Sequence, residues 1–351
     1  MNGLGVVLET ARRAKGLTQQ ELADAVGIRQ AALSRYENES RDPDEEVLNR
    51  IASTLGLTAD FLRHASKVRG AVAVDAHMRR RKTARPSDWR RLEALLNLYR
   101  LQARRVFDDV AVRAEQRLPT FDPSDTEPDT AARMVRMQWR MPTGPVRSLI
   151  QWIEAAGCLV FQEDFKTRGV DGLSQWIDEC PVILLNTSVP PDRKRLTIAH
   201  ELGHLCLHSD TITDNVEEEA NMFAAEFLMP WEVIRPQLRN LTMAKLVDLK
   251  REWGVSMQAL IERAYLGKLI DSNQRMNLYK SLSARGWRTS EPVSEELAPE
   301  SPMLAQSIAD ALSKNGLSPS EIATLVGVSP DDETNPFVPH KPRLRMALST
   351  Q

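Results

Sequence analysis

The stretch Leu196-Thr-Ile-Ala-His-Glu-Leu-Gly-His-Leu-Cys-Leu-His208 places a His-Glu-x-x-His pattern inside an apolar run of helical character. His200 and His204 stand four residues apart, so on a helix they share one face and reach a single metal ion. Two neutral imidazoles then bind Zn²⁺ and leave a position for water, while Glu201, next to the first of them, takes the proton of that water as it attacks a carbonyl. The spacing predicts metal-assisted peptide hydrolysis. His208 continues the series, yet His200 and His208 lie about 12 Å apart along a helix rising 1.5 Å per residue, so His208 is expected to be helix-terminal or structural. Cys206 falls on the opposite face and is expected in the core.

A third ligand is offered by Val216-Glu-Glu-Glu-Ala-Asn-Met-Phe-Ala-Ala-Glu-Phe-Leu-Met-Pro230, which reads as a helix. Ala220, Phe223, Ala224, Phe227 and Leu228 make its buried stripe and Pro230 limits its end. Glu217 lies on that stripe, and a metal would offset the desolvation of its carboxylate. Glu218 and Glu219 are expected to face solvent. Asn221, one turn after Glu217, is placed to orient a ligand from behind.

These two runs, with Arg140-Met-Pro-Thr-Gly-Pro145, Ile153-Glu-Ala-Ala-Gly157, Pro181-Val-Ile-Leu-Leu-Asn186 and Gly286-Trp287, resemble the ImmA/IrrE family of zinc metallopeptidases over roughly residues 130 to 290. The resemblance implies a gluzincin-like site in which His200, His204 and Glu217 hold Zn²⁺ and Glu201 is the catalytic base. It also implies a protein substrate of the repressor type.

At 351 residues the chain has room for two or three domains, and its formal charge of −2 gives no overall affinity for polyanions. Three cysteines, Cys158, Cys180 and Cys206, form no Cys-x-x-Cys pair, which fits reduced thiols in a cytoplasm. No basic, apolar leader opens the chain and no apolar run is long enough to span a bilayer, so a cytoplasmic protein without membrane contact is expected.

Near the N-terminus, Thr18 and Glu21 form a capping box, Leu22 and Val26 supply a buried face, and Gly27 ends a short helix in a tight turn. A second short helix follows over Gln30–Glu37, with Leu33 and Tyr36 inward. Two short helices around a glycine turn are a helix-turn-helix. The segment Gly16-Leu-Thr-Gln-Gln-Glu-Leu-Ala through Leu33-Ser-Arg-Tyr-Glu-Asn38 resembles the Cro/C1-type (XRE family) domain that binds operator DNA. On that resemblance Gln19 touches the DNA backbone, and Arg29, Gln30, Ala31 and Ser34 face bases in the major groove. The domain is more acidic than basic, which lowers the expected non-specific affinity for DNA but is compatible with a specific contact face built from Arg12, Arg13, Lys15, Arg29 and Arg35. The operator is expected to be palindromic and bound by a homodimer.

Residues 62 to 117 are basic, most densely at Arg79-Arg-Arg-Lys82, and Leu92, Leu96 and Tyr99 mark a long helix. Residues 145–156 read as a helix, and Cys158–Phe161, Gly172–Trp176 and Val182–Leu185 as strands, one of them able to pair with an extended substrate. Leu246 to Ala264 trace two helices around Gly254, and Glu291–Pro302 reads as a linker. Gly316-Leu-Ser-Pro-Ser-Glu-Ile-Ala-Thr-Leu-Val-Gly327 echoes Gly16 to Gly27, after which residues 337–351 look frayed.

The expected fold is multidomain: an all-α helix-turn-helix domain, an α+β zincin-like metallopeptidase domain and a helical C-terminal region. The boundaries read are 1–66 for DNA binding, 67–129 for a basic helical linker, 130–235 for the peptidase core, 236–290 for its helical extension, and 291–351 for linker, helical segment and tail. The expected function is a DNA-binding transcriptional regulator with a zinc endopeptidase domain acting in a stress, mobile-element or toxin-antitoxin response. The alternative is a non-proteolytic repressor or antitoxin whose peptidase-like domain is a sensor.

Overall fold

In a computed structural model of the chain, residues 3–66, 85–109, 114–177, 180–209, 211, 213–330, 332 and 335–339 are described. The Arg79–Lys82 run and residues 340–351 lie outside them. The chain forms two compact units, one of residues 1–74, 97–112 and 303–351, the other of 75–96 and 113–302.

The first unit opens with five helices, α1 (Leu4–Ala14), α2 (Gln19–Val26), α3 (Gln30–Glu37), α4 (Glu45–Leu55) and α5 (Ala59–Ser66). The capping box at Thr18 and Glu21 is formed. Gly27 closes α2 at φ 75°, a left-handed turn that glycine adopts without steric penalty, and this aims α3 across α2. Arg29 caps α3 without a side-chain hydrogen bond. Leu8, Leu22, Leu33, Ile51 and Phe61 fill the core. Arg12 corrects an expectation. It is buried, with Nε and Nη2 donating to Glu37 Oε1 and Oε2 at 2.6 and 2.8 Å, so it is an internal ion pair and no part of a contact face.

The long helix α6 (Pro86–Asp109) contributes residues 86–96 to the second unit and 97–109 to the first.

In the second unit α7 (Pro128–Gln138) and α8 (Leu149–Ala155) precede strands β1 (Leu159–Glu163), β2 (Gly172–Ile177) and β3 (Cys180–Asn186). Helix α8 is shorter than its apolar pattern suggested. The sheet order is β1-β3-β2, with β1 parallel and β2 antiparallel to β3. Val182, Ile183, Leu184 and Leu185 of the central strand are fully buried, the mark of a strand covered on both faces. Helix α9 (Pro191–Leu207) lies on the sheet against β2 and β3, and α10 (Val216–Leu228) packs on α9 and α7. Pro191 at the first position and Asp192 in the first turn start α9.

Gly203 sets how closely α9 and α10 approach. A Cβ there would stand 3.2 Å from Ala220 Cα, Ala220 O and Phe223 Cβ, so the two backbones meet where no side chain intervenes.

The unit continues with α11 (Trp231–Ile234), α12 (Met243–Trp253), α13 (Met257–Leu266) and α14 (Ser272–Ala284). The stretch read as a linker is held down by charge: Glu291 accepts from Lys250 Nζ at 2.7 Å and from the Met257 backbone N at 2.7 Å. Lys250 is fully buried and also donates to Asp192 Oδ2 at 2.7 Å. Glu300 pairs with Arg195 and accepts from the Ile150 backbone N.

Helices α15 (Leu304–Lys314) and α16 (Pro319–Val326) complete the first unit. Ser318 and Glu321 repeat the capping box of α2, as the sequence echo suggested. The segment after Gly327 is not a reading helix, because Val328 bridges Leu57, with Thr58 N donating to Gly327 O at 2.9 Å. Phe337 and Val338 are buried, so the tail is not frayed from 337.

Lys250→Ala leaves two buried carboxylates without their counter-ion and is expected to destabilise the second unit by about 3–5 kcal/mol. All seven tryptophans lie in that unit, so urea unfolding followed by tryptophan fluorescence reads the change. Gly203→Val wedges α9 from α10 and is expected to cost about 1–3 kcal/mol in the same assay.

Candidate metal centre and nucleic-acid interface

The candidate metal centre is built from side chains of α9 and α10. Helical spacing brings His200 and His204 onto one side of α9, both buried, with their Nε2 atoms 3.0 Å apart. Glu217, in the first turn of α10, reaches over them: one carboxylate oxygen lies 3.7 Å from His200 Nε2 and the other 3.6 Å from His204 Nε2. One ligand atom from each of the three lies within 4.8 Å of the others, and among the described residues this is the group of His, Cys, Asp and Glu arranged to hold a metal ion. The nitrogen spacing is of the size needed when two imidazoles each stand about 2 Å from one ion.

Asn221, one turn along α10 from Glu217, accepts at Oδ1 from His200 Nδ1 at 3.0 Å. That bond fixes the proton on Nδ1 and leaves the lone pair of Nε2 facing the other two donors. The residues therefore fit a metal ion on their own chemistry: two ring nitrogens and a carboxylate converge on one point, which without a cation is mutual repulsion.

Glu201 is almost fully buried, and Ser174 of β2 donates to its Oε2 at 2.7 Å. Ser174 carries no spacing signal, since only the packing of β2 on α9 brings it to a residue 27 positions later. His208 is the C-cap of α9 and fully buried. Glu219 corrects an expectation: it turns from solvent toward His208, whose Nε2 lies 2.7 Å from Glu219 Oε2, and accepts from Thr213 Oγ1 at 2.8 Å. Cys206 is buried, and burial pushes its thiol well above the ordinary range.

On the first unit, Arg29 and Ala31 are exposed, and Gln19, Gln30 and Ser34 half-buried, around the start of α3. A hydrogen-bonded chain organises them. Gln30 Nε2 donates to Gln19 Oε1 at 2.7 Å, and Gln19 Nε2 donates to Glu37 Oε2 at 2.8 Å, the carboxylate already held by Arg12. Arg13 is exposed and pairs with Glu9. Among the described residues no helix is long and apolar enough to cross a membrane.

Comparison with known proteins divides along the same line. Residues 8–62 match the helix-turn-helix family model, and residues 153–265 match the model described as the IrrE N-terminal-like domain. The uncharacterized HTH-type transcriptional regulator YqaE of Bacillus subtilis (strain 168) is 42% identical over 55 residues, 16% of this chain and 47% of that protein. The HTH-type transcriptional regulator ImmR of the same organism is 37% identical over 59 residues, 17% of this chain and 46% of that protein. The radiation response metalloprotease IrrE of Deinococcus deserti is 35% identical over 102 residues, 23% of this chain and 36% of that protein. The chain thus spans about half or less of the length of these relatives. One multidomain chain thus carries a region that matches the helix-turn-helix model and a separate region that matches the IrrE N-terminal-like model.

Proposed function

We propose that this protein is a DNA-binding transcriptional regulator whose IrrE-like domain is a zinc-dependent endopeptidase directed at a repressor-type protein. The observation that carries the reading is the convergence of His200 Nε2, His204 Nε2 and the Glu217 carboxylate on one point, with Glu201, the residue after His200, buried. Two histidines, a carboxylate and an open position form the donor set of a catalytic zinc. When bound, zinc supplies Lewis acidity to the attacking water and to the scissile carbonyl.

The remaining work falls to the chain. The Glu201 carboxylate takes a proton from the attacking water and returns it to the leaving amine. Ser174, donating to Oε2, holds that carboxylate in one orientation, and burial among α9, β2 and β3 keeps bulk water from competing. Strand β2 is at the sheet edge next to α9, and its outer edge is positioned to pair with a substrate in extended form. DNA binding is assigned to Gln19 at the start of α2 and to Arg29, Gln30, Ala31 and Ser34 of α3 and its cap, acting on a palindromic operator as a homodimer in the cytoplasm.

Glu201→Gln is expected to keep zinc and fold while lowering cleavage of the target by about 10² to 10⁴. In cells it should lengthen the target's half-life as much as deletion of the gene does. Equal half-lives in the Glu201→Gln and wild-type strains would leave a non-proteolytic sensor as the better account. His200→Ala and His204→Ala should each lose stoichiometric zinc by elemental analysis.

On DNA, Gln30→Ala with Ser34→Ala is expected to relax sequence preference in a random-sequence selection with the full chain. Arg12→Gln should lower thermal stability and leave the salt slope of binding at its wild-type value, since the pair with Glu37 is internal. A reduced salt slope would place Arg12 at the phosphates.

A further inference from the structure

Three side chains behind the metal centre, His208, Glu219 and Thr213, have no part in the proposed hydrolysis, and they form a line. His204 Nδ1 lies 3.0 Å from His208 Nδ1, His208 Nε2 lies 2.7 Å from Glu219 Oε2, and Thr213 Oγ1 donates to that same oxygen at 2.8 Å. His208 has no exposed side-chain surface, and the Glu219 side chain is 18% exposed.

The protons along this line are set by the partners. A carboxylate oxygen only accepts, so His208 must donate through Nε2–H. In a neutral His208 the other nitrogen, Nδ1, then carries the lone pair. Between two facing Nδ1 atoms one must donate, so His204 carries its proton on Nδ1 and presents the lone pair of Nε2 to His200 and Glu217. The chain thus settles for His204 what Asn221 settles for His200 by a single bond.

We propose that Glu219, through His208, is the positioning device of the metal ligand His204, fixing its tautomer and ring orientation and strengthening Nε2 as a donor. This rests on the reading of His200, His204 and Glu217 as metal ligands. The two α9 ligands are served unequally. His200 is backed by a neutral amide, whereas His204 is backed by an anion acting through a second imidazole, which polarises the Nδ1–H bond more strongly. A third histidine on the same helix face is useful here because it is too far along α9 to share the ion, yet one turn from His204. Glu219 comes from α10, so the device closes only when α9 and α10 are packed together.

The test is zinc affinity of the full chain by competition with a chromophoric chelator. His208→Ala and Glu219→Leu are each expected to weaken binding about 10- to 100-fold. The double variant should bind no more weakly than the worse single one, because both interrupt one path. Glu219→Gln, which keeps an acceptor for His208, should lose less than Glu219→Leu, and His208→Gln, which can still accept from His204, less than His208→Ala. If His208→Ala does not fold, the Glu219 variants decide the matter from a part-exposed position. A readout that mere packing would not move is long-range ¹H–¹⁵N NMR of the zinc-loaded protein. It should show His204 protonated on Nδ1, with that proton moving upfield in Glu219→Leu. Wild-type zinc affinity in Glu219→Leu, alongside lost zinc in His204→Ala, would overturn the proposal and leave the metal centre standing. Unchanged zinc affinity in His204→Ala would overturn the metal centre and the proposal together.

Discussion

The approach of α9 to α10 at Gly203 is the constraint on which the site depends. His200 and His204 belong to one helix and Glu217 to the next, and their donors meet because the backbones touch where a Cβ would stand 3.2 Å from Ala220 and Phe223. Packed interiors do not deform smoothly, so a helix pair forced apart there would carry Glu217, Asn221 and Glu219 away from the histidines together. One glycine contact thereby governs the position of Glu217 and of Asn221 and Glu219, which sit against His200 and His208.

Charge, as much as apolar packing, holds the surroundings of α9 in place. Its first turn is tied at Asp192 to Lys250 of α12, which also holds Glu291, while Arg195 reaches Glu300, the Val146 carbonyl and the Gly254 carbonyl. Buried ions are expensive to desolvate and are stable only when each finds its partner, so these contacts fix one arrangement of α9, the helical extension and the 291–300 strap. The C-terminal end of α9 is set differently, by His208 at its cap and by Trp176 of β2, whose Nε1 donates to Leu205 O at 2.7 Å. With both ends secured, Glu201 is held against Ser174.

The first unit uses charge in the same way. Arg12, Glu37, Gln19 and Gln30 form one hydrogen-bonded chain that runs from a buried ion pair to the half-buried glutamines of the proposed reading face, so an internal ion pair sets their posture. The C-terminal helices α15 and α16 reuse the capped helix and glycine turn of α1 and α2, and the residues after Gly327 pair with the α4–α5 turn.

The sequence by itself determined the elements whose signals are local. The His-Glu-x-x-His spacing on a helix, the capping boxes at Thr18 and Ser318, the Gly27 turn and the period-3.6 stripe of Val216–Leu228 each depend on residues within a few positions of one another, and helical geometry converts such spacing directly into a shared face. Glu217 and Asn221 were legible for the same reason. The tertiary structure alone decided what crosses between elements. Arg12 reads as a surface cation until Glu37, 25 residues on, is seen to bury it. Glu219 reads as solvated until His208 is brought beside it, and Ser174 says nothing until β2 packs on α9. Glu291 and Glu300 sit in a stretch with the composition of a linker, yet both are anchored by buried cations. A charged side chain has no periodicity that reveals its partner, and which carboxylate a buried cation or imidazole meets is settled only when distant helices and strands close on one another.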